Sequence, residues 1–212
     1  IFIQFDTSKN IIEKEGLLEE DEYQRNIINS IYGNGTIDKK YSYIHKELNE
    51  KGTSKFTIIS CQFSLHYYFE TKLTLMGYIR NITENCKKNG YFIGCCYNGK
   101  RIFERLKDSE PFEYKNKHGS IIYKIEKKYD METFEYTDND DEMFGNKITV
   151  EMESIGKPID EYLVNFDYFT KIMNDNGFEL HVPNMKDKYD ITNPIGSFTS
   201  IIDTLEKRTN RI

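Results

Sequence analysis

The sequence predicts an α/β domain in which helices cover both faces of a parallel sheet, followed by a region built around a β-hairpin. Short β-rich runs alternate with segments of helical periodicity as far as residue 107, which is the pattern of βαβ units. From residue 110 onward the apolar residues follow a period of two, which indicates paired strands. With 212 residues, of which 38% are hydrophobic, the chain can bury a core without disulfides or a metal.

The elements of the first half follow from apolar spacing and from the residues that interrupt it. β-branched and aromatic runs predict three strands, the second of them buried, over residues 1–5, 56–61 and 91–96. Apolar residues at helical spacing predict three helices, over residues 19–32, 71–86 and 100–107. A Gly-Asn-Gly turn at 33–35 ends the first helix and Gly90 ends the second. The polar stretch 35–54 is interpreted as loop.

The second half is predicted to hold a hairpin, a strand–helix–strand run and a polar tail. The hairpin pairs 112–114 with 121–125 around a turn at Gly119. After an acidic loop at 138–142, the pattern predicts a strand, a helix and a strand, over residues 147–152, 166–176 and 178–182. No repeat or linker is visible, so we expect one domain over residues 1–183 and a C-terminal tail with one amphipathic turn over 184–212.

Composition excludes several classes of protein. No apolar run is long enough to span a bilayer, and charges throughout the first twenty residues exclude a secretory signal. Four cysteines without a C-x-x-C pair are neither a zinc motif nor a disulfide scaffold, which favours a reducing compartment. The net charge of −6 argues against non-specific coating of nucleic acid, but not against binding of a single nucleotide.

The candidate binding residues lie where the predicted strands end. Ligands of open α/β sheets bind at the carboxyl ends of strands, where Asp6 and the segments 60–67 and 95–98 meet. A carboxylate there can accept from an amine or a ribose hydroxyl, and Phe63 and Tyr67 offer ring faces to a base or a sulfonium. Each residue alone also has an ordinary explanation, since an Asp after a strand is more often a turn cap.

Five segments in series resemble one family. Residues 60–70 read S-C-Q-F-S-L-H-Y-Y-F-E, which resembles the S-C-Q-F-x-x-H-Y-x-F-E segment of the mRNA cap guanine-N7 methyltransferases, especially those of giant viruses. The segments that match the same family in the same order are 3–11, 89–94, 144–147 and 159–166. The resemblance implies a Rossmann-like class I methyltransferase fold that uses S-adenosylmethionine to methylate guanine N7 of the mRNA cap.

On the cofactor side, the resemblance implies roles for four residues. Asp6 accepts from the adenine amine of S-adenosylmethionine, and Phe63 lies against the adenine ring. Gln62 and Tyr67 line the methionine and sulfonium side.

On the substrate side, the resemblance implies that His66 and Tyr67 face the guanine, that Phe144 helps to wall the pocket, and that Glu161 accepts from the base. Guanine presents N1–H and N2–H₂ side by side, so a carboxylate can accept two parallel hydrogen bonds from it. Without the resemblance, an exposed acid at a helix start is the simpler interpretation of Glu161. Guanine N7 carries a lone pair and no proton, so we nominate no acid–base residue and expect His66 to orient and pack.

The sequence departs from the family pattern at the cofactor loop. The Gly-rich loop that holds the methionine end of the cofactor is absent, and so is the acid that binds the ribose hydroxyls. The resemblance therefore implies that two strands lie upstream and that this chain, holding about half of the cofactor site, binds S-adenosylmethionine poorly alone. It also implies a viral-type capping enzyme with upstream triphosphatase and guanylyltransferase modules, acting on the capped 5′ end of mRNA (GpppN) in the cytoplasm, a viral factory or virion, or the nucleus.

Two other functions stay open. One is a methyltransferase of the same fold that acts on another base or a small molecule. The other is a non-catalytic scaffold or stimulatory subunit, which the absent Gly-rich loop favours. Basic clusters at 87–88, 100–107 and 124–128 are interpreted either as ordinary solvated surface or as a path for the triphosphate and the first nucleotides of RNA.

Overall fold

The computed structural model describes residues 2–108, 111–137, 139–181, 194–200 and 202–203. The helices are α1 Glu22–Tyr32, α2 Ser42–Leu48, α3 Lys72–Asn85, α4 Gly99–Asp108 and α5 Phe166–Asp175, with 3₁₀ turns at Lys39–Tyr41, Leu65–Glu70 and Asp140–Met143. The strands are β1 Phe56–Gln62, β2 Cys86–Cys95, β3 Phe112–Lys115, β4 Ile121–Lys127, β5 Lys147–Met152 and β6 Pro158–Tyr162. The chain forms two compact units, residues 1–169 and residues 170–212.

The first unit contains a β1–α3–β2 crossover, which confirms the predicted α/β class. β1 and β2 are parallel, with Ile58 opposite Tyr91 and Gln62 opposite Cys95. α3 begins at a capping box in which the Thr71 side chain accepts from the backbone N–H of Thr74. Its apolar side is completely buried, as the helical period predicts, at Leu75, Ile79 and Ile82.

An antiparallel sheet of order β3-β4-β5-β6 follows the crossover. The predicted hairpin is confirmed, with Gly119 in the left-handed conformation at φ 84°. The buried residues of this sheet form one core with α4, in which Phe103 and Leu106 lie in a cluster with Ile125, Ile148 and Val150. β6 was not predicted, because its residues Pro158–Tyr162 lack a regular apolar alternation.

Three predictions of the first half are wrong. Residues 2–5 form no strand, because none of the described strands pairs with them and a strand needs a neighbouring ladder. The interval 35–54 is not simply a loop, since it contains α2, whose single buried residue Ile44 gives no visible helical period. β1 is not buried, since Ile58 is 57% exposed and β1 pairs with one strand among the described residues.

The end of the second predicted helix also differs from the prediction. The chain passes directly from α3 into β2 at Cys86, and an irregularity lies between the pairs Phe56–Cys86 and Ile58–Tyr91. Asn89, with φ 61°, adopts the left-handed conformation that was expected of Gly90. The first helix does end as predicted, with Gly33 in the left-handed conformation after α1.

The second unit holds the end of α5 and a described part of the tail. α5 confirms the predicted helix, but residues 178–181 form no strand, and residue 182 lies outside the described residues. Residues 198–200 and 202–203 are helical, at the predicted amphipathic turn, whereas Ile201 and Leu205 lie outside the described residues. Within the described ranges, no helix is long and apolar enough to cross a membrane.

Candidate functional site

The chain turns sharply where β1 ends, and this turn sets the position of the candidate site. Phe63 follows the last residue of β1 with φ 50°, an uncommon conformation for a bulky side chain. Its backbone N–H donates to the carbonyl oxygen of Cys95 over 2.8 Å, which ties the turn to the end of β2. The 3₁₀ helix Leu65–Glu70 begins two residues later and buries His66, which is only 3% exposed.

β6 places Glu161 beside His66. Glu161 lies opposite Ile148 of β5 and is only 6% exposed, so it is not the exposed helix-start acid that residue type alone suggested. Its Oε1 atom is 3.6 Å from Nε2 of His66, which is too long for a hydrogen bond. The two side chains therefore face each other across a gap without satisfying each other.

Three of the four side-chain polar atoms of this pair are buried without partners in the described part of the chain. Both ring nitrogens of His66 and Oε2 of Glu161 have no hydrogen-bond partner among the residues that the structure describes. An unpaired buried polar group costs about 1–3 kcal/mol, and folded proteins keep few of them. Three such atoms at one place are what a binding site shows when it is built for a ligand with complementary donors and acceptors.

Burial also changes the ionisation of both groups. It lowers the pKa of His66 to about 4 and raises the pKa of Glu161 to about 7. Near neutral pH, His66 is therefore uncharged, with one N–H donor and one acceptor nitrogen, and Glu161 is poised between its two forms. Although the distance between them is that of an ion pair, the two groups do not form one at neutral pH, because His66 carries no charge.

Two tyrosines flank the imidazole. The ring of Tyr67 lies 4.3 Å from that of His66 and is tilted by 60°, and the ring of Tyr97 lies 5.9 Å away at 29°. Burial and the charge of Glu161 raise the pKa of both tyrosines, which places both hydroxyl groups within the electrostatic reach of that carboxylate. Tyr97 was not nominated from the sequence, although it lies in the segment 95–98 that was expected at the sheet edge.

Asp6 lies in a turn on the first unit's N-terminal segment. Its Oδ1 accepts from the backbone N–H of Ser8 over 3.0 Å and from the Ser8 hydroxyl over 2.7 Å, and its other oxygen takes part in neither bond. The segment is fixed to α3 because Nδ2 of Asn81 donates to the carbonyl oxygens of Thr7 and Lys9. Thr7, which follows Asp6, lines a cavity of about 400 Å³ together with Ser60, Ser64 and Tyr68.

Gln62 and Phe63 lie at the exposed end of β1. The Gln62 amide donates to the Ser60 hydroxyl over 2.9 Å, and its oxygen accepts from the Cys95 thiol over 2.8 Å. Both groups of this amide are therefore engaged along the two strands. The Phe63 ring is 56% exposed and leaves a flat apolar surface at the strand end.

Phe144 packs beside the same 3₁₀ helix but contacts other rings. It stacks on Phe69 at 6.0 Å and meets Tyr168 edge-on at 5.5 Å. The following N–H, of Gly145, donates to the carbonyl oxygen of Phe69. In the described part of the chain, neither His66 nor Tyr67 makes a ring contact with Phe144. The structure thus brings His66, Tyr67 and Glu161 together and leaves Phe144 outside that group.

The sequence comparisons identify the family of this chain. A family model described as the mRNA (guanine-N(7))-methyltransferase domain matches residues 11–210 of the 212. The chain belongs to the mRNA (guanine-N7) methyltransferase family. Its parallel β1–α3–β2 crossover with flanking helices is consistent with the Rossmann-like fold of such methyltransferases.

Individual members of this family match more than half of the chain. A probable mRNA-capping enzyme of Acanthamoeba polyphaga mimivirus is 30% identical over 135 residues, which cover 60% of this chain and 11% of that protein. The mRNA cap guanine-N(7) methyltransferases of Drosophila melanogaster and Saccharomyces cerevisiae are each 29% identical over 126 residues. These matches cover 59% and 58% of this chain but only 27% and 28% of the relatives. The chain thus spans less than a third of the length of each of these curated relatives.

Several basic residues of the predicted RNA path are engaged in ordinary surface contacts. Lys100 pairs with Glu135 at 3.0 Å, and Lys124 and Lys128 both pair with Glu126. These ion pairs favour the interpretation of the clusters as solvated surface, because each carboxylate already offsets positive charge that an RNA phosphate would need.

Proposed function

We propose that this chain carries the guanine-binding site of an enzyme that transfers a methyl group from S-adenosylmethionine to guanine N7 of the mRNA cap. The observation that carries the proposal is the buried pair of Glu161 and His66, in which both imidazole nitrogens and Oε2 of the carboxylate lack partners among the described residues. The family membership supports the methyl-transfer reaction, and the buried pair of Glu161 and His66 supports guanine as the ligand.

The pair matches the edge of guanine atom by atom. The Glu161 carboxylate accepts from N1–H and N2–H₂ of the base, which are adjacent and parallel. A neutral His66 can donate its ring N–H to the O6 atom next to them, since its pKa of about 4 keeps it uncharged but still a donor. Adenine would oppose an amine to the imidazole donor and leave the carboxylate without a donor at N1, so the site should reject it strongly.

The cofactor side fits S-adenosylmethionine in part. Phe63 and Tyr67 present exposed rings, 56% and 42% accessible, where β1 ends, and such rings suit a flat adenine and a sulfonium cation. Asp6 keeps one carboxylate oxygen outside its turn, which can accept from the adenine amine. Gln62 would have to give up its bonds to Ser60 and Cys95 to contact the methionine end. When bound, the cofactor supplies an electrophilic methyl group.

No residue of the site has to remove a proton. Guanine N7 has a free lone pair, so the work of the protein is to hold that atom in line with the methyl group and to exclude water. His66 orients the base and packs against Tyr67. The buried position of Glu161 and His66 provides the rigidity that such alignment requires.

The proposal extends to substrate, partners and location. The substrate is the capped 5′ end of mRNA, and the domain spans residues 1–183, with Phe144 as an outer wall of the pocket. Triphosphatase and guanylyltransferase modules would act in the same polypeptide, which the name and length of the mimivirus relative support. The four free thiols suit a reducing compartment, the cytoplasm or the nucleus.

The experiment is methyl transfer to GpppA-capped RNA by the polypeptide as its gene encodes it, with Glu161→Gln and the control Glu153→Gln. Glu153 is an exposed acid just after β5, so it tests for a general effect of losing a charge. Glu161→Gln should lower kcat/KM by about a hundredfold or more, because it removes a charged acceptor from two donors. Equal activity of wild type and Glu161→Gln on the cap would mean that Glu161 does not recognise the guanine. A wild type that is inactive on the cap would favour another methyl acceptor or a scaffold.

A further inference from the structure

Tyr97 is the aromatic residue of the site for which no role has been assigned. We propose, on the basis of the proposed function, that its ring forms a second wall of the purine pocket, contacts the face of the guanine and favours the methylated base over the unmethylated one. Tyr97 lies between β2 and α4, and its ring stacks on His66 from a distance of 5.9 Å.

The backbone that follows Tyr97 lies against the segment just after β6, the strand that carries Glu161. An added Cβ at Gly99 would overlap the backbone N and carbonyl oxygen of Val164. The two backbone segments therefore touch at a point where only glycine fits. Asn98, between Tyr97 and Gly99, caps α4 by accepting from the backbone N–H of Arg101 over 3.0 Å. The contact between Gly99 and Val164 therefore fixes the backbone near both side chains. Tyr97 lies two residues before Gly99, and Glu161 lies three residues before Val164.

The side chains of the site differ in exposure, which distinguishes the two residues at its bottom from the two tyrosines at its sides. His66 and Glu161 are 3% and 6% exposed and form the buried floor of the site. Tyr67 is 42% exposed, and Tyr97 is partly buried, so each of these rings keeps accessible surface. A base whose edge lies on Glu161 and His66 has two open faces, and the two tyrosines flank the imidazole on which that edge rests.

The chemistry of the reaction gives the second wall a function. Methylation at N7 turns a neutral purine into a cation, and positive charge grows on the ring as the methyl group is transferred. The face of a tyrosine attracts a cation, and the attraction is strongest where water is excluded. The phenol is neutral at physiological pH, since burial and the charge of Glu161 raise the pKa of Tyr97. A wall that binds the charged form more tightly lowers the barrier, whereas equal binding of both forms would not.

The test compares two ligands, GpppA and m7GpppA, in Tyr97→Phe, Tyr97→Leu and the control Tyr43→Leu. Tyr43 is an exposed tyrosine of α2, 59% accessible. Tyr97→Phe keeps the ring and should bind both ligands within about twofold of wild type, whereas Tyr97→Leu should lose about tenfold for m7GpppA and only about threefold for GpppA. An unchanged affinity ratio in Tyr97→Leu overturns the proposal, even if both affinities fall, because a merely structural role would lower them together.

A second variant keeps the test decisive if Tyr97→Leu does not fold. The chain has no tryptophan, so Tyr97→Trp introduces a single indole at the proposed wall. Its fluorescence should be quenched on saturation with m7GpppA, and the affinity for that ligand should be at least that of wild type, because tryptophan is the best cation-binding ring. Binding without quenching places the base elsewhere and refutes the role of Tyr97. If instead wild type binds neither ligand, or Glu161→Gln binds as wild type does, it is the proposed function that fails.

Discussion

Replacing Glu161 with Gln should make the folded protein more stable at alkaline pH, although Glu161 belongs to the proposed binding site. Burial raises the pKa of this carboxyl group from 4.5 to about 7 in the folded chain. The folded state therefore holds the proton more tightly than the unfolded state, and ionisation of Glu161 works against folding. Wild type should lose stability as pH rises from about 4.5 through about 7, and the variant should not, because Gln does not ionise.

The size of the effect follows from the same pKa. A rise from 4.5 to about 7 corresponds to about 3 kcal/mol, at about 1.4 kcal/mol for each tenfold change in the ionisation constant. A buried Gln amide also lacks partners, but that cost does not depend on pH. The stability of the variant relative to wild type should therefore grow by about 2–3 kcal/mol between about pH 5 and about pH 8.5. For a chain of this size the difference in Tm should change by roughly 5–10 °C.

The assay is thermal unfolding of wild type, Glu161→Gln and Glu153→Gln at the two pH values. The exposed Glu153 should give no pH-dependent difference. His66, with its pKa lowered to about 4, contributes a rise in stability with pH that is common to wild type and both variants, so it cancels in the comparison. A difference between Glu161→Gln and wild type that stays constant from about pH 5 to about pH 8.5 would refute the reasoning, because it would mean that Glu161 ionises as freely in the folded chain as in water.

Three further outcomes are expected. Replacing His66 with Ala should weaken binding of GpppA by about tenfold, because the donor to O6 is lost. The replacement should remove no ionisation above pH 5.5 from the pH–rate profile, since the pKa of His66 is about 4. Loss of an ionisation near pH 6–7 would contradict the account. Gly99→Ala should destabilise the protein by about 1–3 kcal/mol in denaturant unfolding, because the new methyl group overlaps Val164, and a variant as stable as wild type would show that the contact yields. Isothermal titration of the 212-residue chain with S-adenosylmethionine should give weak or undetectable binding, and micromolar affinity would count against the partial cofactor site.

Much of the fold could be predicted because several elements carry strong periodic signals. α3 and α5 have apolar residues at helical spacing, and the hairpin turns at a glycine that the structure places at positive φ. The errors occur where tertiary surroundings decide. Residues 2–5 have the composition of a strand but no described neighbour to pair with. Ile58 is exposed because β1 pairs with one strand in the part of the chain that the structure describes.

The site was predicted unevenly, for a related reason. His66 and Tyr67 follow a predicted strand end, so their shared location could be inferred from topology together with the family resemblance. The burial of Glu161 could not, because β6 has no apolar alternation and an acid that follows another acid, Asp160, is usually exposed. Tyr97 could have been nominated, since it is the aromatic residue in the segment expected at the end of the second strand, but only the packing of Gly99 on Val164 shows why it approaches Glu161.

The most direct test of the central claim is to remove one donor from the base and one acceptor from the protein in combination. Affinities of wild type and Glu161→Gln are measured for GpppA and for IpppA, in which inosine lacks the N2 amine of guanine. If the Glu161 carboxylate accepts from that amine, inosine should cost wild type about tenfold in affinity and cost the variant little. Equal losses in wild type and variant would mean that Glu161 does not accept from that amine, which would contradict the proposed recognition of guanine by two parallel hydrogen bonds.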